Sequence, residues 1–133
     1  MKKLELYDTT LRDGTQQQGI SLSVEDKIAI TKKLDDLGVD FIEGGYAGAN
    51  PKDDEYFKKI SEIKLENAKI AAFGNTRKAN IHVAKDQSIL ALLKSKARVL
   101  TLVGKSSAFQ VEKILETTLE ENLSMIEDSI KFL

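Results

Sequence analysis

Apolar positions along this chain switch between two rhythms. Short runs at Leu4–Tyr7, Val39–Glu43, Lys69–Phe73 and Val99–Val103 read as β-strands. Between them, apolar residues recur at helical spacing. Ser23-Val-Glu-Asp26 places a serine cap three residues before an acid, and Val24, Ile28, Leu34 and Leu37 then repeat near 3.6, with Ala29 and Ile30 widening the face. Gly38 suits a left-handed terminator for that helix. Asn50 followed by Pro51 opens a second helix, whose stripe is Tyr56, Phe57, Ile60 and Ile63. Residues Ile81 to Lys94 are expected to be mostly helical, with Ile89, Leu90, Leu92 and Leu93 apolar. The last stretch predicts a short helix near Val111–Leu115. A longer one follows, capped within Thr117-Thr-Leu-Glu120, with Leu119, Leu123, Ile126 and Ile130 as its apolar stripe.

The strands begin near residues 4, 39, 69 and 98, a recurrence of about 30 residues that matches repeated βα units. Such repeats demand a parallel sheet with helical cover. No linker or low-complexity tract divides the chain, so it reads as one domain or one piece of one. A (β/α)8 TIM barrel uses about 31 residues per unit, and four units account for this length. The fold class is therefore α/β, either the N-terminal half of a TIM barrel or a small doubly wound α/β domain. Periodicity alone does not separate the two. An isolated half barrel would expose two sheet edges, and is expected to be marginal unless it dimerises or swaps elements.

Composition narrows the function classes. The 133 residues carry 20 Lys plus Arg against 21 Asp plus Glu, a formal net charge of -1, so nothing pulls the whole chain toward nucleic acid or anionic membrane. There is no cysteine, which removes disulfides, Cys-based zinc sites and thiol nucleophiles. No apolar run approaches the ~20 residues that span a bilayer, and a cytoplasmic protein is the expectation.

In a parallel sheet the strand C-terminal ends share one face, where active sites form. Arg12, Asp13 and Gln16 follow the first strand, and Glu43 closes the second. Asn75, Thr76 and Arg77 follow the third, and Lys105 and Ser106 the fourth. An aspartate there suits a hard divalent cation, and an arginine suits a carboxylate or a carbonyl oxygen gaining negative charge. The competing reading is an Asp–Arg pair bracing the loop, with Asp8 capping a neighbour. Glu43 suits holding Arg12 better than ligating metal. Tyr46, in the second strand's exit loop, is placed to line a pocket, and Lys105 to meet a phosphate or carboxylate at the mouth. Gly104-Lys105-Ser106 is no phosphate loop, because Val99 stands where that motif needs glycine. His82 is a lone imidazole and reads as a surface or capping residue. Tyr7, Phe41, Phe57 and Phe73 read as core or helix–sheet contacts. Lys58, Lys59, Lys64 and Lys69, interleaved with acids, read as solvated faces.

Asp8-Thr-Thr-Leu-Arg-Asp-Gly-Thr-Gln16 resembles the signature of the metal-dependent acyl-CoA condensing and lyase barrels. These include 2-isopropylmalate, homocitrate and citramalate synthases and hydroxymethylglutaryl-CoA lyase. Four further segments resemble the citramalate synthase branch: Asp40-Phe-Ile-Glu-Gly-Gly-Tyr-Ala-Gly-Ala-Asn-Pro-Lys-Asp53, Ala72-Phe-Gly-Asn-Thr-Arg77, Val103-Gly-Lys-Ser106 and Thr117-Thr-Leu-Glu-Glu-Asn-Leu123. The resemblance implies that residues 1–133 are the incomplete N-terminal part of a catalytic TIM barrel. It implies Asp13 as a metal ligand and Arg12 as the group that binds the 2-keto acid and steadies its carbonyl oxygen. Gln16 would touch substrate or the metal's shell, and Glu43 would support the arginine. The implied reaction condenses acetyl-CoA with pyruvate to (R)-citramalate with a divalent cation (Mg, Mn or Zn), in a cytoplasmic homodimer. Other keto acids, the reverse lyase chemistry, and a non-catalytic interaction or regulatory domain are the alternatives. The family's late His-x-His pair has no counterpart, since the chain holds one histidine, so this piece alone is expected to bind metal weakly and to be inactive.

Overall fold

The four apolar runs pair as one parallel sheet in the order β1-β2-β3-β4 in a computed structural model that describes residues 4–133. The strands are β1 (Tyr7–Asp8), β2 (Phe41–Tyr46), β3 (Lys69–Asn75) and β4 (Val99–Val103). Helices α1 (Val24–Leu37), α2 (Pro51–Ile60), α3 (Gln87–Lys94), α4 (Ala108–Lys113) and α5 (Leu119–Phe132) connect or follow them. A doubly wound sheet reverses its strand order at a switch point. Here the order never reverses, and the sheet faces differ. One face, carrying Ile42, Ile70 and Ala72, joins a core with Tyr56, Phe57, Ile60, Ile89 and Leu92 from the helices. The other carries Tyr7, Glu43, Phe73 and Thr101. The fold is half of a (β/α)8-like barrel, and the doubly wound alternative is set aside.

Caps fall where the side chains dictate. Ser23 and Asp26 form a reciprocal capping box, Gly38 ends α1 at φ 86, and Asn50 accepts from the Asp53 amide ahead of Pro51. Thr118 caps α5. Four boundaries depart from the sequence reading. β1 is two residues long, starting at Tyr7. Gly44-Gly45-Tyr46 belongs to β2, not to its exit loop, because Gly45 and Tyr46 pair with Ala72 and Phe73 across a bulge. The Ile81–Lys94 segment is a short 3-10 turn at Val83–Lys85 followed by α3, split because the Asp86 carboxylate caps Ser88 and Ile89 and so starts the helix afresh. α4 begins at Ala108, three residues before its expected start.

Two helices turn a different face inward from the one their apolar stripes suggest. α1 buries Val24, Lys27, Thr31 and Asp35, while Leu37 is 77% exposed. Polar pairs decide this. Lys27 Nζ meets Asp53 Oδ1 at 2.5 Å, Thr31 Oγ1 meets the Tyr56 hydroxyl at 2.8 Å, and Asp35 accepts from the amides of Glu66, Asn67 and Ala68. α5 buries Asn122, Met125 and Ser129, leaving Leu123 and Ile130 exposed. It is anchored by Arg77, which is 6% exposed, donates its backbone N–H to Ser129 Oγ, and pairs with Glu121 and Asp128.

Candidate active site

Side chains alternate along a strand, so Glu43 on β2, Phe73 on β3 and Thr101 on β4 share the sheet face opposite the helices. The β1 exit loop brings Arg12 to them. The Asp8 carboxylate accepts from the amide and hydroxyl of Thr10, and the amides of Arg12, Asp13 and Gly14 all point at Thr9 O. That folds the loop back over the strand ends.

Arg12 is the centre of the arrangement. Its Nε donates to Glu43 Oε2 at 2.6 Å, and its Nη1 donates to Asp13 Oδ1 at 2.9 Å. Its guanidinium carbon lies 4.2 Å from the Phe73 ring centroid. Glu43 is 1% exposed, and its other oxygen accepts from the Tyr7 hydroxyl at 2.9 Å. The expectation that Glu43 holds the arginine matches this geometry. The Asp–Arg pair of the bracing reading is also present, between Arg12 and Asp13.

Tyr46 and Asn75 form a second pair beside the first. Asn75 Nδ2 donates to the Tyr46 hydroxyl at 2.5 Å, and the Tyr46 ring packs edge-on against Phe73, with centroids 5.2 Å apart. Burial, reinforced by the charge of Asp86, raises the Tyr46 phenol above its usual range, so the hydroxyl stays protonated at neutral pH. Gly44 and Gly45 permit close helix packing at this strand end. A Cβ on Gly44 would sit 2.3 Å from Tyr56 Cε1, and one on Gly45 2.7 Å from Asp53 Cγ. Asp53 uses that space to accept from the Tyr46 amide at 3.0 Å while paired with Lys27.

Not every expected residue converges. Gln16 lies in the 3-10 turn Gly14–Gln16 with its side chain exposed and no bond to the Arg12 group. Lys105 is half-buried and meets its surroundings through its carbonyl, which accepts from Asn122 Nδ2. Arg77 turns away from the mouth to clamp α5. His82 caps its turn by accepting from the Ala84 amide, as a capping histidine should. Tyr7 and Phe73, read from sequence as core or helix–sheet contacts, face the site instead. Their strand parity with Glu43 was the signal available for this.

Asp13 has a side chain that is 62% exposed, with Oδ1 committed to Arg12. Among the described residues no group of three His, Cys, Asp or Glu stands close enough to hold a metal ion. The donor set of this chain therefore does not by itself fit a divalent cation. No helix among the described residues is long and apolar enough to cross a membrane.

Comparison with known proteins adds a lineage to this geometry. The profile of the HMGL-like family matches residues 3–133. The chain is 48% identical over 132 residues to a protein of Aquifex aeolicus named (R)-citramalate synthase, covering 99% of this chain and 25% of that one. It is 50% identical over 133 residues to the protein of the same name from Geobacter sulfurreducens, covering 100% and 25%. The chain thus spans about a quarter of the length of these curated relatives. The crystal structure of hydroxymethylglutaryl-CoA lyase from Pseudomonas aeruginosa aligns with a TM-score of 0.72 at 20% identity, covering 98% of this chain and 42% of that one, which shows the shared fold.

Proposed function

The chain belongs to the HMGL-like family, and from that membership we propose that it supplies the keto-acid-binding part of an enzyme that condenses acetyl-CoA with pyruvate. The products are (R)-citramalate and CoA. The methyl carbon of acetyl-CoA loses a proton and attacks the pyruvate ketone carbon, and water then cleaves the thioester. Near 50% identity to relatives named for this activity supports the substrate pair. In this reading the whole protein is a cytoplasmic homodimer.

The observation that carries the proposal is the state of Arg12. Its Nε is committed to the buried Glu43 carboxylate, its Nη1 to the exposed Asp13 and one face to an aromatic ring, so it is held in one place. Its Nη2 donates to no acceptor among the described residues. A charged, immobilised donor of this kind serves an oxygen on which negative charge builds, as the ketone oxygen does when the new carbon–carbon bond forms. Removal of one such donor typically costs about 10²–10³ in turnover. Tyr46 and Asn75 stand beside it as further substrate contacts. The divalent cation implied by the family would take at most one oxygen, from Asp13, out of this chain's donor set. The chemistry belonging to these residues is that of the guanidinium and its supporting carboxylate.

CoA release is the test. Acetyl-CoA is supplied with pyruvate, 2-ketoisovalerate or 2-ketoglutarate in turn, with magnesium or manganese, to the parent open reading frame and to the 133-residue chain. Pyruvate-dependent release by the parent supports the proposal. Release with none of the three acids overturns it in favour of lyase chemistry, and release by the 133-residue chain would show that further metal ligands are dispensable.

A further inference from the structure

Glu43 is a carboxylate at 1% exposure, and a buried carboxylate is held only if both oxygens find donors. Arg12 Nε satisfies Oε2. Oε1 is satisfied by the Tyr7 hydroxyl at 2.9 Å, which also lies 2.6 Å from Thr101 Oγ1. A phenol has one proton to give. With that proton on Glu43, the Thr101 hydroxyl must donate to Tyr7. The result is a directed chain, Thr101 to Tyr7 to Glu43, met from the other side by Arg12. It crosses from β4 through β1 to β2 and ends at the β1 exit loop.

We propose that Tyr7 is a positioning residue for Arg12. By fixing the second oxygen of Glu43 it stops the carboxylate rotating, and the guanidinium then has one resting place against Phe73. Burial, with the hydrogen bond to Glu43 and the charge on it, outweighs the opposing pull of the Thr101 contact and of Arg12 and raises the Tyr7 phenol above its usual range, so the donor keeps its proton throughout the neutral range. The phenol touches no reacting atom in this arrangement; it acts through Glu43. This inference rests on the reading of Arg12 as the group that steadies the keto acid's carbonyl oxygen.

Tyr7→Phe is the decisive variant, because it keeps the ring stacked near Phe41 (centroids 6.0 Å apart) and removes one oxygen. Thr101→Val is the second variant, leaving Tyr7 in place but without its own donor. In the 133-residue chain, the 1H–15N signal of Arg12 Nε–H, assigned by its loss in Arg12→Lys, should exchange with water about five- to tenfold faster in Tyr7→Phe and by a smaller factor in Thr101→Val. In the parent enzyme, Tyr7→Phe should lower kcat at least tenfold with the KM for pyruvate within threefold, at an unchanged melting temperature. Exchange at the wild-type rate, or a kcat loss that merely follows a fall in melting temperature, overturns the inference. If the wild-type parent condenses no keto acid, the functional reading falls, while the exchange measurement still decides whether Tyr7 positions Arg12.

Discussion

Arg12 lies over the Phe73 ring, with its guanidinium carbon 4.2 Å from the ring centroid, while Glu43 holds its Nε at 2.6 Å. The ring blocks one face of the cation and leaves it charged. A cation–π contact of this kind is worth about 1 kcal/mol, equivalent to about fivefold in binding. Phe73→Leu should therefore raise the KM for the keto acid about fivefold in the parent enzyme. Steady-state kinetics at fixed acetyl-CoA would check this, and an unchanged KM would show that the stack has no part in binding.

The Lys27–Asp53 pair, 3% and 13% exposed, sits beneath the same strand end. Breaking a buried pair from one side strands a charge and typically costs about 3–5 kcal/mol. Lys27→Met should destabilise the chain by about that much in urea unfolding, and the double variant Lys27→Met, Asp53→Asn should recover a large part of the loss. A double variant no better than the single one would mean that the Asp53 contacts to the Tyr46 amide and to Asn50 dominate.

The Arg77 clamp should prove weaker, although its side chain is also buried, at 7% exposure. Its partners Glu121 and Asp128 are 25% and 48% exposed, so removing the arginine leaves charges that water can solvate. Arg77→Met should cost about 1–2 kcal/mol, less than Lys27→Met. Hydrogen exchange should localise the loss to α5. Uniform loss of protection would show that α5 does not come away as a unit.

Asp35 makes stability depend on acid. Burial works against its charge, but hydrogen bonds from the amides of Ala68, Glu66 and Asn67 outweigh it and hold the carboxyl below its usual range. A depressed carboxyl contributes stability that is fully present above its unfolded pKa of about 3.9 and is lost as pH falls through the folded value. Asp35→Ala should cost about 2 kcal/mol at pH 7. The gap from wild type should narrow as pH drops below about 4. A gap that stays constant down to pH 2 would contradict the assignment.

Local signals carried most of the architecture. Ser23 with Asp26, Asn50 before Pro51, and Gly38 each act within a few residues, so their caps are legible from sequence. The strand that ends on Glu43 and the loop carrying Arg12 and Asp13 were legible for the same reason, since βα recurrence assigns both to one end of the sheet. The helix faces were not. Leu37, Leu123 and Ile130 lie on apolar stripes yet stay exposed, because Lys27, Thr31 and Asp35 on α1, and Arg77 against α5, bind partners about 25 to 50 residues away.

By itself, the sequence determined the βα repeat, the capping of its helices and the strand-end cluster of Arg12, Asp13 and Glu43, because each depends on backbone preference or on neighbours in the chain. Only the tertiary structure decided that the strands run in unreversed order as half a barrel. It also decided that Tyr7, Phe73 and Thr101 face Glu43 and Arg12, and that Gln16 and Arg77 do not. Those outcomes depend on strand register and sheet curvature. Register turns every second side chain to one face, and curvature brings β1 within a hydrogen bond of β4 across 94 residues of sequence.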